Sequence, residues 1–357
     1  MAVRAAIVGC GKSAENHISE IKKLGYARLV GVCDCDALMA QQFSIRHGVD
    51  SWYSDFCQLL REQNPDVVHI TTPPQSHFDV ALQAIAAGCH LFVEKPFAED
   101  ARQAEELVRM ARANSCKLTI AWTHYFDPAA RAARALIKKG AIGDVVHVEA
   151  VTAYDLRSDF GAAVLQDRTH WVHRLPGKLF QNNLDHPLAF LAEYIDPKDS
   201  TCEVQAWRAA SPYPDLPDEL RVTMIGASTS AHLIFSCRAR PVGHSLTLVG
   251  NKSTLRVDLI NQIVTQDSVS RLPGPLGRLA CGLDETYQFG RQTFRNMLRF
   301  VRSDFQPLPG LSALTSDFYE CVESGGDAPI PDAHILRVSA AMDRVVQLLH
   351  EIEVTTQ

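Results

Sequence analysis

The first third of the chain alternates short apolar runs with longer amphipathic stretches. Runs of β-prone residues lie at 4–8, 28–33, 66–71, 90–93 and 117–121, with a weaker one at 51–53. Between them, at 13–24, 36–47, 54–62, 75–87 and 100–114, apolar residues recur every three to four positions. Short β-rich runs predict strands, and the 3.6-residue period predicts helices. Their alternation is the βαβ signature of an open, parallel, doubly wound sheet, the Rossmann α/β arrangement.

Beyond residue 124 the pattern changes. A helix opens at Asp127-Pro128, with Asp127 as its cap and Pro128 as its first residue, and stops at Gly140. Alternating stretches follow at 144–154, 202–209, 219–225, 231–237, 245–249 and 254–259. Strands followed by late helices predict an α+β domain with a large, mainly antiparallel sheet. The Pro/Gly-rich stretch 270–282 reads as a long ordered loop or lid. Helices return from Glu285, and the last, 331–351, has the spacing of a packing element. Two domains are expected, 1–124 and 125–357.

Size and composition agree with two soluble cores. The 357 residues exceed one ordinary core, and 46% hydrophobic with 21% charged residues is a globular composition. A net charge of −6 argues against nucleic acid or an anionic membrane as the main partner. No apolar run approaches the ~18 residues of a membrane span. The ten cysteines are scattered, no secretory signal precedes the first strand, and reduced thiols in a cytoplasm are expected. Cys33-x-Cys35 has no second pair nearby, so it reads as small strand residues and no metal site is expected.

The chemistry begins in the loop Gly9-Cys10-Gly11-Lys12-Ser13-Ala14, a Gly-x-Gly-x-x-Ala fingerprint between the first strand and first helix. Gly9 permits the tight turn, Gly11 lets backbone approach a pyrophosphate, and Ala14 lets helix pack on strand. Lys12 and Ser13 open the helix whose N–H groups face the phosphates. Gly11-Lys12-Ser13 also ends like a nucleoside-triphosphate loop, but the required first glycine is Ala6, inside the strand. Asp34, at the end of the second strand, suits the adenosine ribose. With no Arg or Lys beside it, NAD is favoured over NADP. Thr72-Pro73-Pro74 and His77 form the next strand-end loop, expected on the nicotinamide side. In Leu91-Phe92-Val93-Glu94-Lys95-Pro96, a strand ends in a carboxylate, an amine and a proline. Lys95, held extended by the proline, is the candidate proton-handling group beside the nicotinamide.

Together, Gly9-Cys10-Gly11, Cys33-Asp34, Thr72-Pro73-Pro74-x-x-His77, Ala87-Gly88 and Glu94-Lys95-Pro96 resemble the glucose-fructose oxidoreductase, inositol dehydrogenase and rhizopine catabolism (Gfo/Idh/MocA) family. The resemblance implies that Lys95 sits near both nicotinamide and the reacting hydroxyl; Glu94 is a candidate cofactor contact, and His77, in the first helical turn, is either a cofactor contact or a surface or capping histidine. It also implies a homodimer or homotetramer formed through the outer face of the second sheet. In the second domain the family pattern is a glycine cluster, then Asp-x-Gly-x-His on a helix. Here His186 matches the histidine, while Asn182 stands where aspartate is usual.

His186 is the expected general base, with Lys95 as partner, and Asn182 shares its helix face four residues away. Asparagine carries no charge, so it favours the imidazolium less than aspartate would. Pro187 leaves the Asn183 carbonyl without its helical donor, an acceptor for a sugar hydroxyl or a simple kink. Tyr154, Arg157, Arg168, Trp171 and Arg174 complete the candidate substrate contacts, in a segment cationic enough to suggest an anionic substrate if it lines the site. The expected activity is NAD-dependent hydride transfer at a secondary hydroxyl or ketone of a sugar, cyclitol or sugar nucleotide. Two alternatives stay open: a redox-neutral enzyme that oxidises a sugar only transiently, and a non-catalytic NAD-binding regulator.

Overall fold

Strands β1 (Val3–Val8), β2 (Ala27–Cys33), β3 (Trp52–Tyr53), β4 (Val67–Ile70), β5 (His90–Val93) and β6 (Leu118–Ile120) form one parallel sheet in the order β3-β2-β1-β4-β5-β6. The structure, a computed structural model, describes residues 2–209, 211–213, 216–267, 272–302, 305–306, 308–352 and 355–356. The central strands are buried, β4 throughout and β1 at all positions but Arg4, as their apolar runs require of a sheet covered on both faces. Helices α1 (Lys12–Lys23), α2 (Ala37–His47), α3 (Phe56–Gln63), α4 (His77–Ala86) and α5 (Ala101–Ala113) make the crossovers. Their starts follow local chemistry: Asp36, Asp55 and Asp100 each cap a helix by accepting from backbone N–H groups. α1 and α4 start without a side-chain cap, α1 on Gly11 and α4 on Ser76.

The second sheet has eight strands. They are β7 (Val145–Ala153), β8 (Thr201–Arg208), β9 (Glu219–Ile225), β10 (Ser230–Ser236), β11 (Gly243–Gly250), β12 (Thr254–Asp258), β13 (Ile263–Gln266) and β14 (Thr355–Thr356), ordered β13-β12-β11-β7-β10-β9-β8-β14. Pairing is antiparallel except at β7/β10 and β8/β14. Helices α6 (Pro128–Lys138), α7 (Asp159–Gln166), α8 (Lys178–Leu191), α9 (Gly274–Val301), α10 (Pro309–Ser324) and α11 (Asp332–Glu351) complete the described elements. No helix among the described residues is long and apolar enough to cross a membrane.

The chain divides into two compact units, Met1–Trp122 with Leu311–Ser339 and Thr123–Gly310 with Ala340–Gln357. A cut at 124/125 would put 311–339 in the second unit, but the chain returns to the first. The reason is apolar: Phe318 and Tyr319 are fully buried, with the Phe318 ring 5.6 Å from Phe92. A second correction concerns 270–282. Ser270 and Arg271 lie outside the described residues, and from Gly274 the stretch is helix α9. Pro275 occupies its first turn, where a missing N–H costs nothing, so the proline marks a helix start rather than a loop. Sequence periodicity also missed the short α7 and β13.

Candidate active site

In the first unit the strand order reverses beside β1, and ligands of such sheets bind beyond the carboxyl ends of the strands there. Gly9 follows β1 with φ +93°, and a Cβ on it would lie 2.6 Å from the Thr72 nitrogen. Only glycine allows the two strand-end loops to approach so closely. Thr71 reinforces the contact by donating its hydroxyl hydrogen to the Gly9 carbonyl at 2.6 Å. A Cβ at Gly11, in contrast, would meet nothing within 4 Å. That open space lies at the uncapped start of α1, which presents unpaired N–H groups. Lys12 is exposed and Ser13 half-buried in the same turn, and Ala14 is fully buried. The carboxylate of Asp34 accepts from the Cys10 N–H at 2.8 Å and the Asp36 N–H at 3.0 Å. It therefore holds the glycine loop and keeps further lone pairs for ribose hydroxyls. These residues fit a dinucleotide.

Two histidines that sequence reasoning passed over support the end of β5. Glu94 Oε1 lies 3.1 Å from His17 Nε2, His17 Nδ1 lies 2.7 Å from His69 Nδ1, and His69 Nε2 lies 2.9 Å from the Tyr319 hydroxyl. One set of tautomers satisfies the whole chain: Tyr319 donates to His69, His69 to His17, and His17 to Glu94. Burial, with the His17 charge second, holds His69 well below the usual histidine range. For Glu94, burial works upward but is outweighed by the His17 hydrogen bond and charge and by Lys95, leaving its carboxyl below its ordinary value. Glu94 Oε2 accepts from the Lys95 N–H at 3.0 Å. The ionised carboxylate thus fixes the strand end from which half-buried Lys95 projects. A histidine inside the otherwise apolar run Val67-Val68-His69-Ile70 was the available signal, since a buried polar group demands a partner.

His77 departs from expectation. It is fully buried, with Nδ1 2.9 Å from the Pro96 carbonyl and Nε2 2.8 Å from the Thr72 carbonyl. It clamps two strand-end loops and offers a cofactor no ring nitrogen. Thr72 is half-buried and Pro73 exposed in the loop it clamps.

The second unit gathers three histidines. The His124 ring lies 4.9 Å from His186 and 4.5 Å from His244. His124 belongs to the turn Thr123–Phe126, His186 to α8, and His244 to β11, where its Nδ1 is 3.3 Å from the Thr152 hydroxyl. His124 Nδ1 bonds the buried Asp127 carboxylate at 2.8 Å, and Asp127 also accepts from the Gly310 N–H at 3.2 Å. Asp127 stands at the helix start as predicted, but its side chain makes no cap. The carboxylate orients an imidazole instead. Burial, then the charge of His124, push His244 down to about 3. Asn182 is buried one turn before half-buried His186.

Residues 3–122 match the model of an oxidoreductase family with an NAD-binding Rossmann fold. The D-glucoside 3-dehydrogenase of Escherichia coli is 32% identical over 144 residues, 40% of this chain and 41% of that protein. Through residues 3–122 the chain is similar to the Gfo/Idh/MocA oxidoreductases. It spans about two fifths of the length of the curated relatives it matches. The whole fold is similar to an Agrobacterium radiobacter oxidoreductase solved with NAD+, L-tartaric acid and magnesium (TM-score 0.76, 17% identity, 98% of this chain and 97% of that one). It is also similar to the WlbA dehydrogenase of Bordetella pertussis solved with NADH and UDP-GlcNAcA (TM-score 0.74, 18% identity, 98% and 97%). The likeness of fold extends over both the six-stranded Rossmann sheet and the mixed second sheet.

Against the Gfo/Idh/MocA pattern, the cationic segment is a correction. Its groups do not converge. Arg157 is exposed and pairs with Asp155 at 3.2 Å. The Arg168 guanidinium lies 4.2 Å over the Tyr213 ring, and Arg174 is exposed. Trp171 packs with His170 and Phe160. Tyr154 stacks on Phe235 at 6.1 Å. The Asn183 amide donates to the Leu179 carbonyl at 2.8 Å, within its own helix. All of these side chains but exposed Arg174 have a local partner, so the case for an anionic substrate loses its cluster. The histidine trio was missed because its members lie far apart in sequence; only the three-residue step from His124 to Asp127 could have hinted at it.

Proposed function

We propose that the protein is an NAD-dependent oxidoreductase acting on a secondary hydroxyl or ketone of a sugar, cyclitol or sugar nucleotide. The observation that carries this reading is Lys95, projecting from the same crown of strand ends that forms the dinucleotide loop, on a backbone fixed by Glu94. NAD, when bound, supplies the hydride acceptor. The α1 N-terminus and the Gly11 backbone hold its pyrophosphate, and Asp34 holds its ribose. Lys95 donates a hydrogen bond to the substrate oxygen and stabilises the negative charge that develops there. His186 takes the hydroxyl proton, and the Asp127 carboxylate behind the neighbouring His124 ring favours the positive charge that forms. Asp127 so provides the carboxylate that Asn182 lacks.

The test is NADH formation over a panel of sugars and cyclitols, with Lys95→Met alongside. The variant should turn over at least ~100-fold more slowly while binding NAD normally, the loss expected for a positioned acid–base group. Full activity in that variant overturns the assignment. Lys95→Met combined with His186→Ala should cost little more than the worse single change, as for groups serving one step. A second reading, the redox-neutral one, draws support from Asn182. It predicts NAD retained through purification and sugars cleaved or epimerised without net NADH, which anaerobic denaturation and nucleotide identification would reveal.

A further inference from the structure

Helix α9 lays one face on its own sheet and turns the other away from it. Gln288 accepts from the Gln266 N–H at 2.8 Å, Gln292 accepts from the Val264 N–H at 2.8 Å, and Asn296 donates to the Asn261 carbonyl at 2.8 Å. These four-residue steps define the inward face. Away from it run Leu276, Ala280, Leu283, Tyr287, Gly290, Phe294, Met297 and Val301, spaced alternately by four and three residues. That is the 3.5-residue repeat of a helix–helix seam. Leu283 is 71% exposed and Val301 74%, and no described residue covers the stripe. A monomer rarely leaves so continuous an apolar surface in water.

The seam is complementary to itself in one direction. If two α9 helices run antiparallel about an axis between Tyr287 and Gly290, Leu276 meets the partner's Val301, and Ala280 the partner's Met297. Leu283 then meets the partner's Phe294, and Tyr287 the partner's Gly290. Small faces large at Ala280 and Gly290, the alternation that interlocking packing needs. In the same register Asp284, which sits at the border of the inward face and accepts from Gln288 of its own helix at 2.6 Å, flanks the partner's Arg291, twice by symmetry, and Leu279 flanks the partner's Phe300. A parallel pair would set Asp284 beside the partner's Leu279 and Arg291 beside the partner's Thr286, with no charge satisfied.

We propose that α9 is the docking surface for a second copy of this chain, the two helices packing antiparallel about a twofold axis. Such a contact is isologous and closes at two copies, so it adds a pairing rather than a filament. It is distinct from the outer face of the second sheet, which carries the half-exposed polar residues His147, Glu149, Arg221 and His232.

Sedimentation velocity on the full-length protein tests this. Wild type should be a dimer or a larger even-numbered assembly. Leu283→Asp sets two carboxylates against apolar side chains and should weaken the α9 pairing at least ~100-fold. The substituted residue is exposed in the single chain, so its melting temperature reports that the fold is kept. Asp284→Arg or Arg291→Asp alone should weaken association roughly tenfold, from two like-charge contacts. The two together should restore it. A monomeric wild type, an assembly unchanged by Leu283→Asp, or a double variant no stronger than the singles overturns the proposal. So does a monomer that co-sediments with phosphatidylglycerol vesicles, which would make the stripe a lipid-binding face.

Discussion

The two units build their candidate chemistry by opposite means. In the first, the working groups are mostly backbone: the Gly9 turn pressed against Thr72, the uncapped start of α1, and the strand end at Glu94-Lys95. In the second they are side chains alone, three imidazoles from a turn, a helix and a strand, tuned by one carboxylate. Backbone sites are tied to residues adjacent in sequence, because a loop of six residues carries its own geometry. Side-chain clusters depend on which elements the topology brings together.

The largest expected effect tests the backbone half. Gly9→Ala forces a Cβ to 2.6 Å from the Thr72 nitrogen at φ +93°. Strain and overpacking of this kind each cost about 1–3 kcal/mol. Thermal denaturation should therefore show a lower Tm, and NAD titration an affinity down at least ~100-fold, three kcal/mol being about that factor. Gly11→Ala sharpens the contrast, because its Cβ meets nothing within 4 Å. Its Tm should stay near wild type while NAD binding still falls. Normal binding in Gly11→Ala would mean that the open space above the loop holds no phosphate.

What could be read from sequence divides along the same line. All six strands of the first sheet and its five helices were legible, since βαβ periodicity and aspartate caps are local signals. The fingerprint loop, Asp34 and Lys95 were legible for the same reason. The return of 311–339 to the first unit was not, because it depends on where Phe318 and Tyr319 find apolar partners. Nor was the His17–His69–Tyr319 chain, in which a single step, His69 to Tyr319, spans 250 residues. Arg157 and Arg168 looked like a binding surface because charge is visible in sequence and its local partner is not. Asp127 illustrates the limit: its position was predictable, but the competition between the helix N–H groups and His124 for its carboxylate was decided by tertiary structure.

A middle-sized effect tests the side-chain half. His124→Ala should lower turnover by about 10- to 100-fold, within the range of general acid–base groups. NAD affinity should be unchanged, because the nucleotide loop lies in the other unit's sequence. Asp127→Asn keeps a hydrogen-bond acceptor but removes the charge that favours the imidazolium. It should shift the acidic limb of the kcat profile to lower pH, whereas a purely structural Asp127 would change Tm and leave the limb in place.

The smallest effect concerns stability in acid. Burial, then the charge of His124, set His244 at about 3 in the folded protein, against an ordinary value of 6.5. The folded chain therefore keeps this ring neutral while the unfolded chain protonates it. Above pH 6.5 neither state holds the proton and stability is complete. As pH falls from 6.5 toward 3, the unfolded state gains it first and stability declines, by up to about 1.4 kcal/mol per pH unit. At pH 5 the loss from this residue is roughly 2 kcal/mol. His69 in the first unit adds a loss of the same sign, because burial lowers it too. Urea midpoints at pH 7.5 and pH 5.0 separate the two: His244→Asn should lose less stability over that interval than wild type, with the His69 contribution unchanged. Equal losses would mean that the His244 ring accepts a proton within the folded histidine cluster, and that the cluster holds charge more readily than its burial implies.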